Sequence, residues 1–121
     1  THPYLTIGIP TWNRCAYLRK NVEALILQVQ SQQLTDQVEI FVSDNGSTDD
    51  TSKFLLEISQ QYSFIRAYSH TENRGANANF QYVIEAANGE YVWLLGDDDL
   101  LAENVIACVI CLLYTSPSPR D

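Results

Sequence analysis

Three adjacent carboxylates, Asp97, Asp98 and Asp99, follow the apolar run Tyr91-Val92-Trp93-Leu94-Leu95 after a single glycine, Gly96. Like charges so close repel one another, and stability gains nothing from them unless a cation intervenes. Hard oxygen ligands on a short turn suit Mg²⁺ or Mn²⁺, which also accept oxygens from a diphosphate. The structural alternative is an acidic start to a helix near Leu100, favoured by the helix dipole. Three further polar clusters stand at comparable places: Pro10-Thr11-Trp12-Asn13-Arg14, Asp44-Asn45-Gly46-Ser47-Thr48-Asp49, and His70 to Gly75 with its Asn73-Arg74-Gly75 end. Asp44 can accept from a ring N–H of a base or from ribose hydroxyls, or it can close an Asx-turn. Arg74 is a candidate diphosphate or base contact, against a solvated charge. Thr11 and Asn13 can offer backbone and side-chain groups to a nucleotide, or cap the helix that follows.

The elements between the clusters explain how these residues could meet. Leu5, Ile7 and Ile9 alternate with polar or small residues and stop at Pro10, as a strand does. Leu18, Val22, Leu25, Ile26 and Val29 recur at helical spacing. Val38 to Ser43 reads as a second strand, and Asn45-Gly46 breaks it. Ser47, Thr48 and Asp49 are candidate N-caps for a helix with the stripe Phe54, Leu55, Ile58 and Tyr62. A shorter strand runs from about 64 to 69. Ala76, Phe80, Val83, Ile84 and Ala87 form a third helical stripe, which Asn88-Gly89 is expected to end through a left-handed glycine. Tyr91 to Leu95 is a fourth strand, and Val105, Ile106, Val109 and Ile110 suggest a fourth helix. Alternating strands and helices imply a Rossmann-like α/β fold, a mostly parallel sheet flanked by helices. In such a sheet ligands bind outside the carboxyl ends of the strands, where all four polar clusters fall.

Composition narrows the function. The 121 residues suit one core, and 45% hydrophobic with 18% charged residues is a globular balance. A formal net charge of −8 argues against nucleic acid as a partner but not against a phosphate-bearing ligand bridged by a metal. No apolar run approaches the roughly 18 residues that span a bilayer. Three cysteines give no disulfide framework, so a reducing, cytoplasmic setting is expected. The Cys108-Cys111 pair is too weak a signal for zinc or redox chemistry, and neither a Walker A run nor a GxGxxG is present. Residues 1–110 are expected to form the domain. Residues 111–121 are expected to be disordered, and their sequence resembles translated non-genomic sequence of the kind that ends truncated reading frames.

Taken together, Ile9 to Arg14, Val42 to Asp49, Asn73-Arg74-Gly75, and Gly89-Glu90-Tyr91 leading to Gly96-Asp97-Asp98-Asp99-Leu100 resemble glycosyltransferase family 2 over about residues 4 to 107. The resemblance implies a GT-A fold, truncated here at its C-terminus. It also implies inverting transfer from a nucleotide-diphosphate sugar, in bacterial polysaccharide or cell-surface glycan synthesis, to a glycan or lipid-linked acceptor. By resemblance, Pro10, Thr11, Asn13, Arg14, Asp44 and Asn45 hold the nucleotide, and Arg74 lies near the base or diphosphate. The acidic motif, through Asp97 and Asp98, serves ribose and metal, and Asp98 or Asp99 is the direct ligand of Mg²⁺ or Mn²⁺. Family members often carry Asp-x-Asp-Asp where this chain has Gly96 first. Many also carry Ala-Arg-Asn in the third helix. Here that place holds Asn79-Phe80-Gln81, closer to a subgroup ending in Leu-Gly-Asp-Asp-Asp that includes deoxysugar transferases. The carboxylate that would act as base is expected downstream of residue 110, leaving these residues donor binding alone. Peripheral association with the inner face of a membrane is compatible with this reading. The competing readings are a metal-dependent nucleotidyltransferase and a non-enzymatic module with an acidic pocket.

Overall fold

A computed structural model of the chain describes residues 2–99, 101, 102 and 104–114. Eight elements alternate along it: β1 Leu5–Thr11, α1 Cys15–Ser31, β2 Val38–Asp44, α2 Thr51–Gln61, β3 Ile65–Ser69, α3 Ala76–Ala86, β4 Tyr91–Leu94 and α4 Val105–Tyr114. The order matches the sequence pattern, and the strand ends fall within one residue of expectation. The sheet runs β3-β2-β1-β4. Every neighbouring pair is parallel, with Thr11 opposite Asp44, Asp44 opposite Ser69, and Gly8 opposite Leu94.

The two faces of the sheet differ in chemistry because side chains alternate along a strand. Leu5, Ile7 and Ile9 of β1 and Val38, Ile40 and Val42 of β2 point to one face. There they are buried with Leu18, Val22, Leu25, Ile26 and Val29 of α1, Phe54, Leu55 and Ile58 of α2, and Ile106 and Ile110 of α4. Each such side chain contributes roughly 1.5–3 kcal/mol when fully buried. The opposite face carries Thr6 and Gly8 of β1 and Glu39, Phe41 and Ser43 of β2, under α3. A Cβ on Gly8 would stand 2.3 Å from Val83 Cγ1, so the missing side chain lets α3 lie directly on β1.

Three expectations are corrected by packing. The buried residues of α3 are Asn79 and Val83, while Phe80 and Ile84 are 42% and 45% exposed. A polar residue docks there because the sheet beneath is polar: Ser43 Oγ donates to Asn79 Oδ1 at 2.6 Å, and Asn79 Nδ2 donates to the Ser43 carbonyl at 3.1 Å. Hydrophobicity alone therefore finds Val83 and Ala87, which are buried, but puts Phe80 and Ile84 inward in place of Asn79. Gly89 is not a left-handed cap either. The helix ends at Ala86 with Ala87 extended, and Gly89 is needed because a Cβ there would sit 2.6 Å from the Thr6 backbone nitrogen. Finally, the expected boundary at residue 110 falls inside α4. Leu113 packs on the core, and the Tyr114 hydroxyl donates to Gln37 Oε1 at 2.6 Å. The rest of the expected tail, 115–121, lies outside the described residues.

At the amino end of the sheet, Glu39 holds the polar face together. Its carboxylate accepts from the Thr6 hydroxyl at 2.7 Å, from the Asn88 backbone N–H at 3.1 Å and from the Arg66 guanidinium, which also stacks over Phe41. Burial alone would raise the Glu39 pKa, but the bonds from Arg66, Thr6 and Asn88 outweigh it and hold the carboxyl below its ordinary value. A depressed carboxyl stabilises the fold above the unfolded-state pKa and loses that contribution as pH falls through the folded value. Glu39→Gln is therefore expected to lower stability by about 1–3 kcal/mol at pH 7. The deficit should shrink below about pH 4.5, the ordinary carboxyl value. Urea unfolding at pH 7, 4 and 3 measures it, and a deficit independent of pH would contradict this assignment.

Candidate functional site

The order β3-β2-β1-β4 places the second strand beside one flank of the first and the fourth beside the other. The ends of β1, β2 and β4 and the loops that follow them border a crevice at the carboxyl edge of the sheet, the place where open α/β sheets bind ligands. A cavity of about 450 Å³ occupies it. Pro10, Thr11 and Arg14 of the first loop, Asn45 of the second, and Gly96, Asp97 and Asp98 of the fourth line this cavity.

The first two loops are fastened to each other rather than capped separately. Asn13 takes φ +51°, and its backbone N–H donates to Ser47 Oγ at 2.8 Å while its Oδ1 accepts from the Thr48 N–H at 2.7 Å. Asp49 serves both helices that start here: Oδ2 accepts from the Cys15 N–H at 3.2 Å and Oδ1 from the Thr51 N–H at 3.0 Å. The N-cap positions proper are Arg14 and Asp50, and neither makes a side-chain cap. Of the three expected caps for α2, only Asp49 reaches the helix; Ser47 and Thr48 turn instead to Asp44 and Asn13. The Asn13 carboxamide oxygen thus faces the neighbouring loop, and Asn13 does not line the cavity.

Asp97 reaches back to β1, where Thr11 Oγ1 donates to its Oδ2 at 2.9 Å. Arg14 lies across both acidic residues, 3.1 Å from Asp98 Oδ2 and 4.0 Å from Asp97 Oδ1. Burial pushes the Asp97 carboxyl above its ordinary value; the Thr11 hydroxyl and Arg14 oppose the rise, and the charge of Asp98 adds to it. The turn is fixed from below by Asn21 of α1, whose Nδ2 donates to the Gly96 carbonyl at 3.2 Å. Asp98 and Asp99 fold around Gly96 itself. Where a Cβ of residue 96 would stand, Asp99 Oδ2 is 2.6 Å away and Asp98 Oδ1 3.4 Å away. Asp99 Oδ2 also accepts from the Gly96 N–H at 3.1 Å, so Asp99 closes the turn and leaves no room for a side chain at residue 96. Among the described residues no third His, Cys, Asp or Glu joins Asp98 and Asp99 in a cation-sized cluster.

Asp44 ends β2 at 1% exposure. Its Oδ1 accepts from the Ser47 N–H at 3.0 Å and from the Ser47 hydroxyl, while its buried Oδ2 has no partner. An orphaned buried carboxylate oxygen costs about 1–3 kcal/mol or more, so it calls for an explanation. The loop after β3 roofs it: a Cβ on Gly46 would meet the Glu72 carbonyl carbon at 2.5 Å. His70 lies beneath this loop, with Nε2 3.3 Å from Ser43 Oγ and its ring edge-on to Tyr68 and Tyr82. Burial and then the Arg74 charge hold the imidazole below its ordinary pKa, against the pull of Asp44.

The structure therefore brings Pro10, Thr11, Arg14, Asn45, Asp97 and Asp98 to one cavity. It sets Asn13 and Asp99 just behind that cavity, and leaves Asp44 beneath a loop. Arg74 stands exposed on that loop. Trp12, Ala76, Asn79 and Phe80 also line the cavity and were not among the expected contacts. Trp12 sits inside the first motif and is 48% exposed, which was a usable signal. Asn21 and Gln28 carried another, as polar residues at the spacing of an otherwise apolar helical stripe. Gln28 ties down the segment after the acidic turn through the Ala102 carbonyl and the Ile106 N–H.

Comparison with known proteins identifies the family and the fold. The family model of glycosyl transferase family 2 matches residues 6–113. The abequosyltransferase RfbV of Salmonella typhimurium is 37% identical over 105 residues, which is 85% of this chain and 30% of that protein. The GalNAc(5)-diNAcBac-PP-undecaprenol beta-1,3-glucosyltransferase of Campylobacter jejuni is 30% identical over 109 residues, 89% of this chain and 34% of that one. Among solved structures, residues 1–349 of TarS from S. aureus superpose with a TM-score of 0.81 at 19% identity, over 93% of this chain and 32% of that one. The mannosyltransferase PcManGT of Pyrobaculum calidifontis, solved with GDP-Man and Mn²⁺, gives 0.77 at 23% identity, over 91% of this chain and 32% of that one. The chain spans about a third of the length of these relatives. Its fold is of the GT-A type, and the chain belongs to glycosyl transferase family 2.

Proposed function

We propose that this chain forms the donor-binding part of an inverting glycosyltransferase that takes a sugar from a nucleotide-diphosphate sugar with the help of Mg²⁺ or Mn²⁺. The observation that carries the reading is the acidic turn, in which Asp97 and Asp98 line the crevice between β1 and β4 and Asp99 follows directly behind them. Two carboxylates suffice to hold a hard cation that keeps its remaining positions for water and diphosphate oxygens. A divalent ion bound there supplies neutralisation of the charge that develops on a departing diphosphate.

The chain's own residues do the rest. Thr11 holds Asp97 toward the ribose side of the crevice, and Arg14 offsets the charge of Asp97 and Asp98 while the cation site is empty. Pro10 and Thr11 form the floor on which the nucleotide lies. Asp44 offers its unpartnered Oδ2 to an N–H of the base. Arg74, exposed at the rim, meets the diphosphate. The acceptor hydroxyl is activated by a carboxylate beyond residue 110, so these residues bind donor without completing transfer.

The names of the relatives support a role in bacterial surface glycans. One is an abequosyltransferase, one a glucosyltransferase whose name includes a PP-undecaprenol acceptor, and TarS has been solved with UDP-GlcNAc. A glycan or lipid-linked acceptor, met at the cytoplasmic face of a membrane, fits both. The association proposed is peripheral; among the described residues no helix is long and apolar enough to cross a membrane.

Calorimetry with UDP, GDP, CDP and dTDP, each with and without Mn²⁺, tests the reading. At least one is expected to bind in a metal-dependent manner; equal binding of all four without metal would count against it. Gly96→Ala tests the cation site specifically. Gly96 has no left-handed φ, so alanine leaves the backbone unstrained but places a methyl 2.6 Å from Asp99 Oδ2, which must then move. Mn²⁺ affinity should fall at least about tenfold, roughly 1.4 kcal/mol, with little change in thermal stability. Unchanged Mn²⁺ binding would place the ion elsewhere.

A further inference from the structure

Asn45 was expected to contact the nucleotide, but its carboxamide is already engaged. It is 4% exposed. Its Nδ2 donates to Asn73 Oδ1 at 3.0 Å and to the Gly75 carbonyl at 3.3 Å, and its Oδ1 accepts from the Arg74 backbone N–H at 2.9 Å. Both amide hydrogens are used, so Asn45 has no donor left for a ligand. One side chain from the end of β2 therefore grips three consecutive residues of the loop after β3. Asn73 finishes the shape, since its Oδ1 also accepts from the Gly75 N–H at 2.7 Å, and Gly75 then starts α3 at φ +90°.

The residue in the middle of this grip is a cation with nothing to hold. Among the described residues, Arg14 is engaged by Asp97 and Asp98, Arg66 by Glu39, and Arg19 lies 4.5 Å over the ring of Phe54. The guanidinium of Arg74 makes no ion pair, and the residue is exposed beside the crevice. A planar guanidinium on a fixed backbone suits two oxygens of a phosphate. Fixing the backbone in advance removes an ordering cost that a free loop would meet on binding.

We infer that Asn45 is a positioning residue, which presents the Arg74 guanidinium to the diphosphate of the donor by holding the 73–75 backbone. The inference rests on the donor-binding reading above. It assigns Asn45 an effect on affinity that passes wholly through another residue, which distinguishes it from a direct contact and from a purely structural role.

A double-mutant cycle on this chain, read by calorimetry with inorganic pyrophosphate and Mn²⁺, tests it. Arg74→Ala should weaken pyrophosphate about tenfold, and Asn45→Ala by about three- to tenfold. The double variant should be no weaker than Arg74→Ala alone. The slope of affinity against salt should flatten in Arg74→Ala and be unaffected by adding Asn45→Ala to it. If Asn45→Ala does not fold, Asn73→Ala removes the same latch from the other side and should behave alike. Wild-type affinity in a folded Asn45→Ala, or additive losses in the double variant, would overturn the inference while leaving donor binding intact. Full pyrophosphate affinity in Arg74→Ala, or no binding by the unaltered chain, would remove the donor-binding role of Arg74 and this inference with it.

Discussion

The site depends on one constraint, the parallel pairing of β2 with two neighbours in a register that ends three strands at a common edge. Thr11 stands opposite Asp44, and Asp44 opposite Ser69. Each loop that leaves this edge begins with a polar motif, so the register alone gathers residues far apart in sequence. β2 and β4 lie on opposite flanks of β1, and the residues that follow all three strands line one crevice. The close approaches that secure the pairing are made by glycines. Gly8 admits Val83 of α3 onto β1, and Gly89 lets the segment before β4 pass against Thr6.

Charge then sets what the crevice can accept. Asp97 is driven upward by burial, and Asp98 and Asp99 crowd around Gly96 with Arg14 as the neighbouring cation. Such a turn is poor for stability and suited to a divalent ion. Its rigidity comes from beneath, through Asn21 on the Gly96 carbonyl and Gln28 on the segment that follows. The second loop is joined to its neighbours in the same way, to the first by Asn13 and Asp49 and to the third by Asn45. Side chains expected to touch a ligand thus often build the frame that presents one.

The fold was legible because each strand and helix carried its period plainly, and Leu18 to Val29 is buried as its spacing required. α3 was misread because its inner face rests on Ser43, a polar surface that selects Asn79 over the more hydrophobic Phe80. The candidate site was legible as a set of positions, since polar clusters after strands in a parallel sheet must share an edge. The division of labour within it was not. Whether an Asn faces a ligand or a neighbouring backbone is decided by tertiary hydrogen bonds, as with Asn13 and Asn45, and nothing local to those residues records it. The glycine in place of the family's first acidic residue is required by the turn, because Asp99 folds back onto the Gly96 N–H and leaves no room for a Cβ.

The central claim is that a divalent cation sits at the Gly96–Asp99 turn and brings a nucleoside diphosphate to the β1–β4 crevice. Paramagnetic broadening of backbone amides by Mn²⁺, measured by NMR on the isotopically labelled chain with UDP and then GDP present, tests it most directly. The account predicts that the amides of Thr11, Arg14, Asp97 and Asp98 broaden first, while those of Glu39 and Asn88 at the opposite edge of the sheet persist. Broadening centred on Glu39 and Asn88, or spread evenly over the acidic surface, would contradict it.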